Sequence, residues 1–84
     1  MKHAREDYNV IQAPPELIPE DEPVFLLRGQ DKFAPAVVGF WANLAGEHMG
    51  ASKDIVIAAR EQAERIREWQ KTHKVKLPDL PVRS

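Results

Sequence analysis

The chain has 84 residues, of which 43% are hydrophobic and 30% are charged, and its 12 basic and 13 acidic residues give a formal charge of -1. This length allows one small domain, and the near-neutral charge gives no overall signature of nucleic-acid or membrane binding. The chain has no cysteine, which excludes disulfides and thiolate zinc sites, and no apolar run approaches the roughly 18 residues of a membrane helix. The N-terminal sequence MKHAREDYNV has no apolar stretch typical of a secretion signal, so the sequence predicts a cytoplasmic protein. No cofactor is predicted.

Residues 1–23 are predicted to form an extended, proline-rich acidic arm. Four prolines and the acidic run Glu20, Asp21 and Glu22 disfavour a continuous helix or a central strand here. Scattered apolar side chains would let the arm dock on a neighbouring surface, and the alternative is a frayed tail. These side chains are Tyr8, Val10, Ile11, Leu17 and Ile18.

The segment 24–28 is predicted to be a short strand or a helical turn. Its apolar residues, Val24 to Leu27, lie between Pro23 and Gly29, and four residues are too few for their periodicity to separate the two structures. An isolated strand would leave its backbone groups unpaired. If the segment is extended, we therefore expect the equivalent segment of a second subunit to pair with it.

A first helix is predicted over residues 33–49, with Asp31 as its cap, Pro35 in its first turn and Gly50 ending it. Gly39 in mid-helix suggests close packing against another backbone or a ligand. The apolar residues follow the three-and-four spacing of one helical face. They are Phe33, Val37, Phe40, Trp41, Leu44 and Ala45.

A second helix is predicted over residues 53–73, with Ser52 as its cap and Asp54 in its first turn. Pairs four residues apart, Arg60 with Glu64 and Glu61 with Arg65, are expected on its outer faces. Its apolar stripe is predicted at Ile55, Ala59, Ala63 or Gln62, Ile66, and Trp69 or Gln70.

Together the helices predict a mainly α protein: an αα-hairpin domain over residues 24–75, followed by an extended tail over residues 76–84. A domain this small without disulfides or metal usually needs a partner to bury its apolar surface, so the sequence predicts a homo-oligomer. The residues expected in the core or the subunit interface are Phe33, Phe40, Trp41, Ile66 and Trp69.

No catalytic or metal-binding pattern accompanies these elements. The histidines, at positions 3, 48 and 73, do not have the spacing of a metal site, and Ser52 fits a helix cap better than a nucleophile. We therefore expect a protein that is not an enzyme.

A weak nucleic-acid hypothesis rests on the basic residues Arg60, Arg67, Lys71 and Lys74, which recur at near-helical spacing. Because Glu64 and Glu68 interrupt them, a solvated face of ion pairs is the favoured interpretation. The two tryptophans likewise fit core anchors better than a platform for stacked bases.

The polar elbow at residues 28–32 is the candidate binding site. Arg28, Gln30 and Lys32 offer charge and directional hydrogen bonds beside a helix start, where backbone N–H groups favour anions. The alternative is a turn that Asp31 caps and that binds nothing.

The segments IPEDEPVFLLRGQDKFAPAVVGFWANLA and AREQAERIREWQ, with the preceding Tyr8, Ile11 and Gln12, resemble small bacteriophage and prophage proteins. The resemblance implies a phage accessory protein in the cytoplasm of an infected bacterium, where countering host defence is one common role. It does not extend to the motifs of viral cyclic-nucleotide sponges.

Two hypotheses follow. The first is a homo-oligomeric binding module that holds a small anionic, nucleotide-like ligand at Arg28, Gln30 and Lys32. The second is a protein-interaction module that inhibits or tethers a host or phage protein.

Overall fold

A computed structural model describes residues 2–10, 17–48 and 50–79. The chain divides into two compact units, one formed by Met1–Leu27 with Asp79–Ser84 and the other by Arg28–Pro78. Predictions for Ile11, for Met49 and for the tail from Leu80 onward fall outside the described residues.

The Arg28–Pro78 unit is the predicted helical hairpin. Helix α1 spans Ala34–Glu47, helix α2 spans Lys53–Gln70, and residues 48–52 connect them. Both helices are slightly shorter than the expected 33–49 and 53–73. Neither is long and apolar enough to cross a membrane, and this holds for every helix in the described part of the chain.

The start of α1 differs from the expected cap. Phe33 occupies the N-cap position, and Asp31 lies two residues earlier. Its Oδ1 accepts the Phe33 N–H at 2.8 Å, while its carbonyl accepts the Ala34 N–H at 3.0 Å. Pro35 lies in the first turn, where its missing N–H costs no helical hydrogen bond. Ser52 is the N-cap residue of α2, as expected, but its hydroxyl makes no capping bond.

The C-terminal ends of both helices differ from the predicted ends at Gly50 and His73. The C-cap of α1 is His48, in an extended conformation, and Gly50 has no positive φ angle, so Gly50 is not the terminator. At the end of α2, the N–H groups of Lys71 and Thr72 bond three residues back to Glu68 and Trp69. This tightening ends the helix before His73.

The seam between the helices is lined by small residues. Ala34 and Ala42 of α1 and Val56 and Ala63 of α2 are the buried hydrophobic residues of the described chain. Alanine lets two helix backbones approach closely, but each methyl removes little apolar area from water, about 0.8 kcal/mol per carbon. The hairpin therefore has a thin core.

The described part of the other unit contains two short strands. Strand β1, Lys2–His3, pairs in parallel with strand β2, Pro23–Val24. The chain's own N-terminus thus supplies the strand partner that was expected from a second subunit, and of residues 24–28 only Val24 belongs to a strand. The described residues of the predicted arm are also not uniformly extended, since Glu6–Val10 forms a 3₁₀ helix.

Arg5 organises the turn after β1. Its guanidinium donates to both carboxylate oxygens of Asp7, at 3.0 and 2.6 Å, and to Asp79 at 3.1 Å, and it lies 4.6 Å from the centre of the Tyr8 ring. The hydrogen bond to Asp7 raises the pKa of Arg5. The first residues of the arm are thus held by charge and by an aromatic contact.

Candidate functional site

The large apolar side chains of α1 and of its N-cap residue are about half exposed or more. Phe40 is 65% exposed, Leu44 53%, Trp41 49%, Phe33 48% and Val37 45%. They are five of the six residues of the predicted apolar stripe, and the sixth, Ala45, is half-buried. However, the residues that the seam buries are Ala34 and Ala42, which lie beside this stripe, so these five side chains are not the core of the single chain.

Two exposed residues of α2 extend this surface. Arg60 lies against Gly46, with its Nη2 3.4 Å from where a Cβ would be, which brings those two flanks of the helices together. Because successive residues turn by about 100°, Leu44 lies roughly 160° from Gly46 on α1, and Trp69 roughly 180° from Arg60 on α2. Trp69 therefore lies on the same side of the hairpin as Leu44, and Ile55, fourteen residues before Trp69 on α2, lies within about 40° of the same direction. We name this side the apolar flank, and it consists of Phe33, Val37, Phe40, Trp41, Leu44, Ile55 and Trp69.

The apolar flank is almost without charge on α1. The 14 residues of that helix include one charged residue, Glu47, at the C-terminal end. Helix α2 carries its charges in ion pairs: Arg65 with Glu61, Arg67 with Glu64, and Lys71 with Glu68. The hairpin thus has a salt-bridged surface suited to water and an apolar surface that is not.

The ion pairs test the nucleic-acid hypothesis, which rested on the basic residues Arg60, Arg67, Lys71 and Lys74. Glu64 pairs with Arg67 and not with Arg60 as expected, whereas the pair of Glu61 and Arg65 forms at 3.9 Å. Glu68 accepts a hydrogen bond from Lys71 at 2.9 Å, which raises the pKa of that lysine. Two of these four basic residues, Arg67 and Lys71, are therefore paired with neighbouring acids. The pairing supports a solvated face of ion pairs over nucleic-acid binding.

The elbow at residues 28–32 is fixed by the end of α2. Nε2 of Gln70 donates to the carbonyl oxygens of Gly29, at 2.8 Å, and Asp31, at 2.9 Å. The Lys32 N–H donates to the Lys76 carbonyl, and the Lys76 N–H donates to the Gln30 carbonyl, both at 2.9 Å. One side chain and one short stretch of backbone thus hold the elbow on the hairpin.

This arrangement favours the structural interpretation of the elbow. An anion at a helix N-terminus needs backbone N–H groups. Those of Phe33 and Ala34 already bond to Asp31, whose carboxylate stands where a bound anion would. Arg28 and Lys32 are exposed and Gln30 is half-buried.

Trp69 links the elbow to the apolar flank. Its indole contacts Gly29, 3.7 Å from where a Cβ would lie, and the ring of His73 stacks on it with centroids 4.1 Å apart. Nδ1 of His73 also lies 2.8 Å from the Trp69 carbonyl. Trp69 remains 40% exposed, so it is a partly covered packing residue and not a buried anchor.

A cleft of about 290 Å³ lies at the closed end of the hairpin, on the side opposite the apolar flank. Its lining residues include the basic side chains of Lys53 and Arg60, together with Gly46, Val56 and Ile57. The described residues contain no cluster of three histidine or acidic side chains that could hold a metal ion.

The role of Gln70 in holding the elbow was not predicted, although its position in the apolar stripe could have indicated it. Position 70 competes with Trp69 for the apolar stripe, and a long polar side chain at such a position needs a hydrogen-bond partner if it is covered. The two elbow carbonyls provide those partners.

Comparisons of the chain with protein-family models, with characterised proteins and with solved structures find no match.

Proposed function

We propose that this protein is a non-enzymatic protein-interaction module whose working surface is the apolar flank. The observation that supports this is the exposure of Phe33, Phe40 and Trp41, each about half or more open to solvent on a helix with one charge. Monomeric soluble proteins rarely expose large contiguous apolar patches, and such patches mark interaction sites.

The composition of the flank fits a protein interface. Aromatic residues are enriched in interface cores and charged residues are depleted there, and the α1 part of the flank has both properties. The elbow supports this proposal over small-anion binding, because the N–H groups of Phe33 and Ala34 at the helix start already bond to Asp31. The resemblance to small phage proteins suggests a bacterial cytoplasm as the setting.

Site-specific photocrosslinking tests the proposal. The photoreactive residue p-benzoylphenylalanine replaces Phe40 in one variant and Ile57 in a control, because Ile57 is also about half exposed but borders the cleft on the other side. Irradiation of cells that produce each variant should give a covalent protein adduct from position 40 and little from position 57. No adduct from position 40, or equal yields from both, would contradict the proposal.

A further inference from the structure

We infer that the apolar flank is covered by the apolar flank of a second copy of this chain. The inference rests on the proposed function, since it names the partner of the same surface. Three properties of the hairpin carry it: the area of the flank, its lack of charge, and the thin core of the single chain.

The area matches what a stable dimer needs. With about 200 Å² per aromatic side chain, the exposed fractions of Phe33, Phe40, Trp41 and Trp69, which are 48, 65, 49 and 40%, leave roughly 400 Å² in water. Val37, Leu44 and Ile55, each about half exposed, raise the apolar area to roughly 600 Å² per chain. A standard interface buries about 800 Å² per partner, of which about 65% is apolar in homodimers.

The charge distribution suits self-association. In a two-fold dimer the same patch lies on both sides, so a charge near the axis meets its own copy, and any other charge in the patch needs an opposite charge at the matching position of the same patch. The α1 part of the flank avoids this repulsion, because Glu47 is the one charged residue of the helix and lies at its end. A flank shaped for a charged foreign partner would carry complementary charges among its apolar residues.

The thin core makes a permanently available partner necessary. Three of the four buried hydrophobic residues in the described chain are alanines, and no large side chain there is completely buried. A hairpin of this kind depends on further burial whenever it is folded, and the partner that is always present with a newly made chain is another copy of it.

Sedimentation equilibrium on the purified full chain tests the inference, with Phe40→Glu as the variant and Ile57→Glu as the matched control. We expect the wild type and Ile57→Glu to have twice the chain mass of 9.6 kDa, and Phe40→Glu to have the chain mass. A wild type at the chain mass, or a Phe40→Glu variant that still dimerises, would overturn the inference.

A second measurement remains decisive if Phe40→Glu does not fold. For a dimer that unfolds to single chains, the melting temperature rises with concentration, by about 5–10 °C over a hundredfold range for a chain of this size. A melting temperature independent of concentration would overturn the inference.

The photocrosslinking result separates the two proposals. An adduct of position 40 with a different protein, from a wild type that sediments as a monomer, overturns self-association and keeps the proposed function. An adduct of twice the chain mass supports both.

Discussion

Replacing Gln70 by alanine should loosen the elbow. The change removes two part-buried hydrogen bonds, from Nε2 to the carbonyls of Gly29 and Asp31 at 2.8 and 2.9 Å. At about 0.5–1.5 kcal/mol each, they contribute roughly 1–3 kcal/mol. Alanine returns a few tenths of a kcal/mol of helix propensity, so we expect a net loss of about 1–2 kcal/mol.

Urea denaturation at one fixed protein concentration measures this loss, as a lower midpoint with an unchanged slope. The matched control is Glu61→Ala on the same helix, because its carboxylate makes only an exposed ion pair with Arg65 at 3.9 Å. The control should stay within about 0.5 kcal/mol of the wild type.

Hydrogen exchange localises the effect of Gln70→Ala. The amides of Lys32 and Lys76 bond within the elbow and should exchange faster in the variant, while amides in the middle of α2 should change less. Equal stabilities of Gln70→Ala and Glu61→Ala, or unchanged exchange at Lys32 and Lys76, would refute this account of the elbow.

Two further substitutions test the seam and the turn. Ala63 is 2% exposed, so Ala63→Leu should overpack the seam and lower the free energy of unfolding by about 1–3 kcal/mol. Ala58→Leu, at an exposed position of α2, should be nearly neutral, and denaturation curves compare the two variants. Gly29→Ala should be tolerated within about 0.5 kcal/mol, since φ is not positive there and the new Cβ would meet Trp69 at an ordinary 3.7 Å; a drop of several degrees in melting temperature would show that the turn requires glycine.

The sequence predicts the helices well because their signals are local. Ser52 at the N-cap and the polar-apolar pattern after it place the start of α2 at residue 53, as observed. The predicted end at His73 is three residues late. The last turn is tightened by bonds to the carbonyls of Glu68 and Trp69, and residue propensities do not encode this.

The orientation of α1 could not be predicted from its pattern. The helix has two stripes with helical spacing, one of large residues such as Phe40 and Trp41 and one of small residues such as Ala34 and Ala42. Hydrophobicity alone selects the large stripe for the seam. The structure uses the small stripe, which allows close helix packing and leaves the aromatic side chains on the surface.

The strand pairing was missed for a different reason. Residues 23–24 pair with residues 2–3, some twenty positions away, and a two-residue strand has no periodicity to reveal its partner. The elbow was located correctly as a turn. Its anchor, Gln70, is 39 residues from Asp31 in the chain, so the contact comes from the fold of the hairpin.

Folding and association of this hairpin are expected to be one process. At about 25 cal/mol per Å², burying roughly 600 Å² of the apolar flank would contribute about 15 kcal/mol per chain before association costs. The whole stability of a typical domain is about 5–15 kcal/mol, so this contribution is of the same size as the net balance. Three of the four buried residues of the seam are alanines, each of which buries less apolar area than a large side chain. A substitution on the flank should therefore lower both the fraction of dimer and the melting temperature, whereas a substitution at a salt-bridged position such as Glu61 should change neither appreciably.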